Sequence, residues 1–188
     1  MKITGIILAG GESKRMGTDK TKVSFNGKNL IEYPINLFRN KCSEILISSN
    51  NNNLPEYPYL KIKDKIKKKG PLSGIYSCLK ESTNNVNVVI SCDMPLINSE
   101  FLDYLIENYN NKELIMPYYN SHFEPLIAIY SKSLIPKIEE LFAKKDYSPL
   151  SLIPICNFKK LEINNSLNFF NPDLFKNINT SNDLNSIK

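Results

Sequence analysis

Hydrophobic residues fall into short blocks that are separated by longer amphipathic stretches. Six blocks predict strands, over residues 3–8, 44–48, 59–62, 86–91, 114–117 and 126–130. Four amphipathic stretches repeat their apolar residues at helical spacing, over residues 30–40, 72–80, 99–108 and 133–144. This alternation predicts an α/β fold in which a mostly parallel sheet carries helices on both faces.

Polar or glycine positions follow three of the predicted strands. They are Gly10-Gly11 after the first strand, Asp64 after the third and Asp93 after the fourth. In open α/β sheets, ligands bind in the crevice beyond the carboxyl ends of the strands. We therefore expect these positions to line a single crevice.

The end of the first strand has the character of an anion-binding loop. Glycine leaves room for the backbone N–H groups of Gly10 and Gly11 to approach phosphate oxygens, and Arg15 and Lys20 supply positive charge soon afterwards. The spacing matches neither the Walker A loop nor the dinucleotide fingerprint, because Thr18 stands where Walker A needs lysine and the two glycines are adjacent. A nucleotide site is favoured over an ordinary surface loop.

Length and composition describe a modest enzyme. The 188 residues are expected to form one domain, 1–188, and 41% of them are hydrophobic. No apolar run reaches the roughly 20 residues of a membrane helix, and no signal peptide is recognisable, so a cytoplasmic location is expected. Four scattered cysteines and one histidine argue against a zinc site or a disulfide framework.

The net charge of +5 is concentrated in one lysine-rich segment before Gly70. That segment has two interpretations, a solvated loop or a cationic rim that attracts an anionic substrate. Nucleic-acid binding is not expected, because the chain shows no recognition helix, zinc finger or aromatic strand motif.

Asp93 is the best candidate for a metal ligand. It follows a buried strand, and Mg²⁺ typically takes one or two protein carboxylates together with phosphates and water. The alternative is that Asp93 caps the next helix, a role for which Asn98 and Ser99 are better placed.

Five ordered blocks carry a resemblance that covers nearly the whole chain. The first block resembles the LAGG-x-S-x-R-M-G-x-D-K motif of the MobA-like nucleotidyltransferases, and among them the molybdenum cofactor guanylyltransferases. The later blocks are similar to the family's GPLAG, CD-x-P, EPL-x-A-x-Y and N-x-NT segments. The five blocks begin at Leu8, Gly70, Cys92, Glu124 and Asn177.

The resemblance implies both a fold and an activity. The fold is the three-layer, Rossmann-like α/β fold of the nucleotide-diphospho-sugar transferase type. The activity is transfer of GMP from GTP to a molybdopterin-type molybdenum cofactor with release of pyrophosphate, assisted by Mg²⁺. Other proteins that synthesise or accept this cofactor are possible partners. Three alternatives stay open: a CTP-dependent cytidylyltransferase, a sugar-phosphate nucleotidyltransferase, and a nucleotide-binding regulator without turnover.

The resemblance also assigns roles to individual residues. Arg15, Lys20 and Asp93 would be catalytic, with Asp93 also the metal ligand. The guanine nucleotide would contact Leu8, Ala9, Gly10, Gly11, Lys20, Asn50, Asp64 and Asp93. The pterin would contact Asn177 and Asn179, which could instead cap a final short helix.

Two of these assignments are ambiguous from the sequence. Asn50 begins a run of four asparagines, so its register is uncertain. Asp64 lies among lysines and could be a local salt-bridge partner.

Overall fold

The computed structural model describes residues 1–10, 23–52, 54–66, 69–178 and 183. These residues form ten strands and four α-helices. The strands are β1 (Ile3–Leu8), β2 (Ser24–Phe25), β3 (Lys28–Asn29), β4 (Glu44–Ser48), β5 (Leu60–Ile62), β6 (Val86–Ser91), β7 (Leu114–Tyr119), β8 (His122–Phe123), β9 (Ile127–Ser131) and β10 (Phe158–Glu162). The helices are α1 (Glu32–Phe38), α2 (Pro71–Glu81), α3 (Ser99–Glu107) and α4 (Ile135–Ala143).

Eight strands form one mixed sheet in the order β10-β7-β9-β6-β1-β4-β5, with β8 paired to β7. Strands β6, β1, β4 and β5 are parallel neighbours, and so are β7 and β10. Strand β9 runs antiparallel to both β6 and β7. The predicted, mostly parallel sheet is confirmed, with β9 reversed between two groups of parallel strands.

All six predicted strands and all four predicted helices are present, with small shifts at their ends. The last predicted helix is divided into a 3₁₀ turn, Lys132–Leu134, and α4, because Pro136 in the first turn of α4 cannot donate a backbone hydrogen bond. The strands β2, β3, β8 and β10 were not predicted, and neither was a 3₁₀ segment at Pro149–Ile155.

Helices cover both faces of the sheet and give three layers. On one face, α1 and α3 pack on a core that includes Ile7, Ile47 and Ile90. On the other, α2 and α4 pack on a core that includes Ile6 and Val89. Neighbouring residues of one strand point to opposite faces, so each central strand contributes to both cores.

Two features at the ends of helices set this packing. Asn98 is the N-cap of α3, since its side chain accepts a hydrogen bond from the Phe101 N–H at 2.8 Å. Gly5 of β1 leaves room for the ring of Phe38, the last residue of α1. None of the described helices has both the length and the apolar character that are needed to cross a membrane.

Candidate active site

The candidate residues converge because four parallel strands end at the same edge of the sheet. Strands β6, β1, β4 and β5 are consecutive neighbours, so their carboxyl ends form a continuous rim. Asp93, Gly10, Asn50 and Asp64 each lie two residues beyond one of these ends. The structure thus brings Gly10, Asp64 and Asp93, for which the sequence predicted one shared crevice, to the same edge of the sheet, and Asn50 lies there with them.

At the end of β1, only Gly10 is exposed. Leu8 and Ala9 are buried and their backbone groups hold the strands together: Leu8 O accepts from Cys92 N–H at 3.0 Å, and Ala9 N–H donates to Ser48 O at 2.9 Å. Of the described residues, only Ser48 would have an atom near a methyl group on Gly10, its backbone oxygen at 3.9 Å. Gly10 therefore presents open backbone to the crevice.

Asn50 and Asp64 form a reciprocal pair across two strand ends. The Asn50 side-chain amide donates to the Asp64 carboxylate at 2.8 Å, and the Asp64 backbone N–H donates to Asn50 Oδ1 at 2.9 Å. Asn50 is thus the residue of the asparagine run that pairs with Asp64. Of the lysines beside Asp64, Lys65 pairs with Glu81 instead, at 2.9 Å.

The start of α2 is packed tightly against this pair. Gly70 has φ +72° and ψ −172°, a conformation that glycine alone adopts readily, and Pro71 then occupies the first turn of the helix. Gly74 lies so close to β4 that a methyl group there would collide with Ser48 Oγ, which is 3.4 Å from Asp64 Oδ1. Gly70 therefore lets the chain turn into α2, and Gly74 lets α2 pack close to the crevice.

Asp93 is buried at the end of β6 and its orientation is set by two neighbours. Its Oδ1 accepts from Ser91 Oγ at 2.6 Å, and its backbone carbonyl accepts from Ile178 N–H at 2.8 Å. The cap of α3 is Asn98, so the capping alternative for Asp93 is excluded.

The turn between β8 and β9 enters the crevice from the other side of β6. The Glu124 N–H donates to Pro117 O, and the buried Tyr130 hydroxyl donates to Pro125 O, both at 2.9 Å. The Ser91 N–H donates to Leu126 O, also at 2.9 Å. Three hydrogen bonds thus hold this turn beside the end of β6.

Glu124 is the functional candidate to which the sequence assigned no role. Burial raises the pKa of its carboxyl group from 4.5 to about 7, and among the described residues only the charge of His122 acts in the opposite direction. The sequence placed Glu124 in a motif, but it did not show that the fold would partly bury this carboxyl group.

The C-terminal block reaches the same region. Because Ile178 bonds to the backbone of Asp93, the preceding residue, Asn177, lies beside the metal-ligand candidate. Asn177 Oδ1 is buried, and no described residue donates a hydrogen bond to it. The remaining candidates Gly11, Arg15, Lys20 and Asn179 lie outside the described residues.

The other reactive side chains do not belong to the crevice chemistry. His122 is exposed, and its Nδ1 lies 2.6 Å from Asn120 O. Burial raises the pKa of the Cys42 thiol to about 12 and that of Cys156 to about 11, so both thiols stay protonated and poorly nucleophilic.

Comparison with known proteins shows the family of the chain. The model of the MobA-like NTP transferase domain matches residues 5–153. A probable molybdenum cofactor guanylyltransferase of Flavobacterium johnsoniae is 34% identical over 186 residues, which are 98% of this chain and 96% of the relative. A relative with the same description from Carboxydothermus hydrogenoformans is 34% identical over 170 residues, covering 86% of this chain and 85% of its own.

Solved structures give the same result for the fold. The crystal structure of molybdopterin-guanine dinucleotide biosynthesis protein A from Archaeoglobus fulgidus superposes with a TM-score of 0.80 at 26% identity. The superposition covers 97% of this chain and 95% of that protein. A protein from Aquifex aeolicus superposes with a TM-score of 0.77, also at 26% identity, over 95% of this chain and 94% of its own.

Proposed function

The chain belongs to the MobA-like NTP transferase family, and from that membership we propose that it transfers GMP from GTP to a molybdopterin-type molybdenum cofactor. The names of its relatives support guanylyl transfer and this acceptor. The observation that carries the proposal is the convergence of Gly10, the Asn50–Asp64 pair and Asp93 on one edge of the sheet.

In the proposed reaction, an oxygen of the acceptor's terminal phosphate forms a bond to the α-phosphorus of GTP. The bond from that phosphorus to the α–β bridging oxygen breaks, and pyrophosphate leaves with the bonding electrons. The protein's task in such a displacement is to position the reactants and to stabilise charge. We assign the charge stabilisation to Arg15 and Lys20, on the strength of the family resemblance.

The nucleotide would occupy the side of the crevice formed by β1, β4 and β5. The open backbone at Gly10 suits a phosphate, and Asn50 and Asp64 offer polar groups for the guanosine portion. The mutual hydrogen bonds of Asn50 and Asp64 hold both side chains in place before a ligand arrives.

Asp93 fits a site for Mg²⁺. Among the described residues no three or more His, Cys, Asp or Glu side chains come together, whereas Mg²⁺ needs only one or two carboxylates when phosphates and water complete its shell. When bound, Mg²⁺ would neutralise negative charge on the phosphates. The hydrogen bond from Ser91 restricts the orientation of the Asp93 carboxylate at the end of β6.

The first experiment measures pyrophosphate release from GTP, from CTP and from GTP with sugar phosphates, with Mg²⁺ and a molybdopterin-type acceptor supplied where needed. We expect release with GTP that depends on the pterin acceptor. Pyrophosphate release with CTP alone would show that the enzyme transfers CMP instead of GMP. Release that requires a sugar phosphate would show that the acceptor is a sugar phosphate instead of the pterin. No release by a folded protein would overturn the proposal.

The variant Asp93→Asn tests the metal ligand. We expect turnover to fall about a hundredfold or more, since a neutral amide stabilises neither the metal nor the charge on the phosphates. Asp103→Asn is the matched control, because Asp103 lies on α3, is partly exposed and forms an ion pair with Lys41. Equal activity of the two variants would remove Asp93 from the metal site.

A further inference from the structure

Glu124 is a partly buried carboxylate that has no partner within the described protein. No hydrogen bond or ion pair joins its side chain to another described residue, and among these residues the charge that acts on it is that of His122. An ionised group in such a position is costly unless something pairs with it. Two hydrogen bonds between backbone groups and one from the Tyr130 hydroxyl nevertheless hold the turn that carries Glu124 in place.

The sheet order places Glu124 away from the proposed nucleotide side. Its turn leads into β9, which is one strand from β6 and four strands from β5, the strand that precedes Asp64. At about 4.8 Å per strand, the strands of Glu124 and Asp64 are about 19 Å apart. Asp93, at the end of β6, lies between the two strands, so the turn of Glu124 lies on the side opposite the proposed nucleotide site, where the acceptor would have room.

The charge of the Glu124 side chain suits a ligand edge that carries N–H donors rather than a phosphate. A carboxylate repels phosphate but accepts readily from paired N–H donors.

We propose that Glu124 binds the 2-amino-4-oxo edge of the acceptor's pterin ring, its two carboxylate oxygens accepting from the ring N3–H and the 2-amino group. The inference rests on the proposed function, because that function makes a pterin the acceptor. Glu124 would then select the acceptor, while the groups around Asp93 serve the transfer.

Guanine presents the same pair of donors, so two pairs of probes are needed. Pterin is compared with lumazine, which carries oxygen in place of the 2-amino group. GTP is compared with ITP, which lacks the 2-amino group of guanine. The dissociation constants of all four are measured by calorimetry on the wild type, on Glu124→Gln and on Glu140→Gln, whose exposed glutamate on α4 controls for the loss of one charge.

We expect the wild type and Glu140→Gln to prefer pterin over lumazine, and Glu124→Gln to lose about tenfold or more of that preference. This is the size expected for a hydrogen bond to a charged group. The ratio for GTP and ITP should be the same in all three proteins. An unchanged pterin preference in Glu124→Gln would overturn the proposal, and so would a change confined to GTP and ITP.

Steady-state kinetics separates this proposal from the proposed function. Glu124→Gln should raise the KM for the molybdopterin-type acceptor about tenfold, with the KM for GTP unchanged. If the wild type turns over GTP with this acceptor and Glu124→Gln matches it in both constants, only the role of Glu124 fails. If the wild type shows no such turnover, the proposed function itself fails. Circular dichroism confirms that each variant is folded.

Discussion

Asp64 and Asn50 show how single side chains from distant parts of the chain build one surface. Each residue lies in a polar stretch that would be flexible by itself, yet their two mutual hydrogen bonds restrict both side chains. Preorganised groups lose less entropy when a ligand binds. The pair therefore suits recognition of a nucleotide more than Asp64 alone would.

We predict that Asp64→Asn raises the KM for GTP about tenfold and leaves the KM for the acceptor unchanged. The loss of one charge-assisted hydrogen bond accounts for an effect of this size. Initial rates at several concentrations of each substrate measure it, with the exposed Asp173→Asn as a control for charge. A larger increase in the KM for the acceptor than in the KM for GTP would show that Asp64 binds the acceptor and not the nucleotide.

Glu124 predicts a pH dependence of stability in the ligand-free protein. Its pKa is raised from 4.5 to about 7, so between these values the folded state holds a proton that the unfolded state has released. Wild-type stability therefore falls as pH rises through this range, whereas glutamine does not titrate.

The Tm of Glu124→Gln should accordingly exceed that of the wild type at pH 8, and the difference should shrink towards pH 4.5. Allowing for screening of a partly exposed carboxyl group, we expect about 1 kcal/mol at pH 8. Thermal unfolding of both proteins across this pH range measures the difference. A constant difference would show that Glu124 ionises normally.

At the scale of elements, the contact of α2 with β4 connects packing to the site. The side of α2 that carries Gly74 faces Ser48, and Ser48 in turn approaches Asp64. A substitution at Gly74 of α2 should therefore displace Ser48, and through Ser48 disturb Asp64 in the crevice.

We predict that Gly74→Ala destabilises the protein by about 1–2 kcal/mol and raises the KM for GTP severalfold, because the new methyl group displaces Ser48 Oγ. Denaturant unfolding and kinetics measure the two effects. The double variant Gly74→Ala with Ser48→Ala removes the colliding oxygen and should recover much of the stability. If the double variant is no more stable than Gly74→Ala, the contact with Ser48 Oγ is not the cause of the destabilisation.

The element predictions succeeded where periodicity was long enough to recognise. Strand β10 was not predicted, because only one of its five residues, Leu161, is buried and two are lysines. Lysines are common in a strand at the edge of a sheet, which is where β10 lies. Strands β2, β3 and β8 have two residues each, too few for any alternation to be visible.

At the scale of the whole molecule, the spacing of the helix and sheet layers depends on the central strand. Gly5 lies in β1, between β4 and β6, and Phe38 of α1 occupies the space that a side chain would take. A methyl group at Gly5 would lie 2.6 Å from Phe38 Cγ, closer than carbon atoms approach.

We predict that Gly5→Ala lowers the free energy of unfolding by about 1–3 kcal/mol, the usual cost of overpacking. Urea unfolding measures it. In a double-mutant cycle, Phe38→Leu should couple favourably with Gly5→Ala, because the smaller side chain gives the methyl group room. Strict additivity of the two changes would contradict direct contact as the cause.

The sequence by itself determined six of the ten strands and all four α-helices, and that glycine and carboxylate residues follow the strand ends. These features depend on local periodicity and on the conformational preferences of nearby residues. The order of the motifs also identified the family, which the comparisons then confirmed.

Only the tertiary structure decided the reversed direction of β9, the choice of Asn50 as the partner of Asp64, the position of Asn177 beside Asp93, and the burial of Glu124. Each of these depends on contacts between residues far apart in the chain. A carboxyl group loses its water only when distant elements pack around it, and no local pattern of hydrophobic and polar residues records that loss.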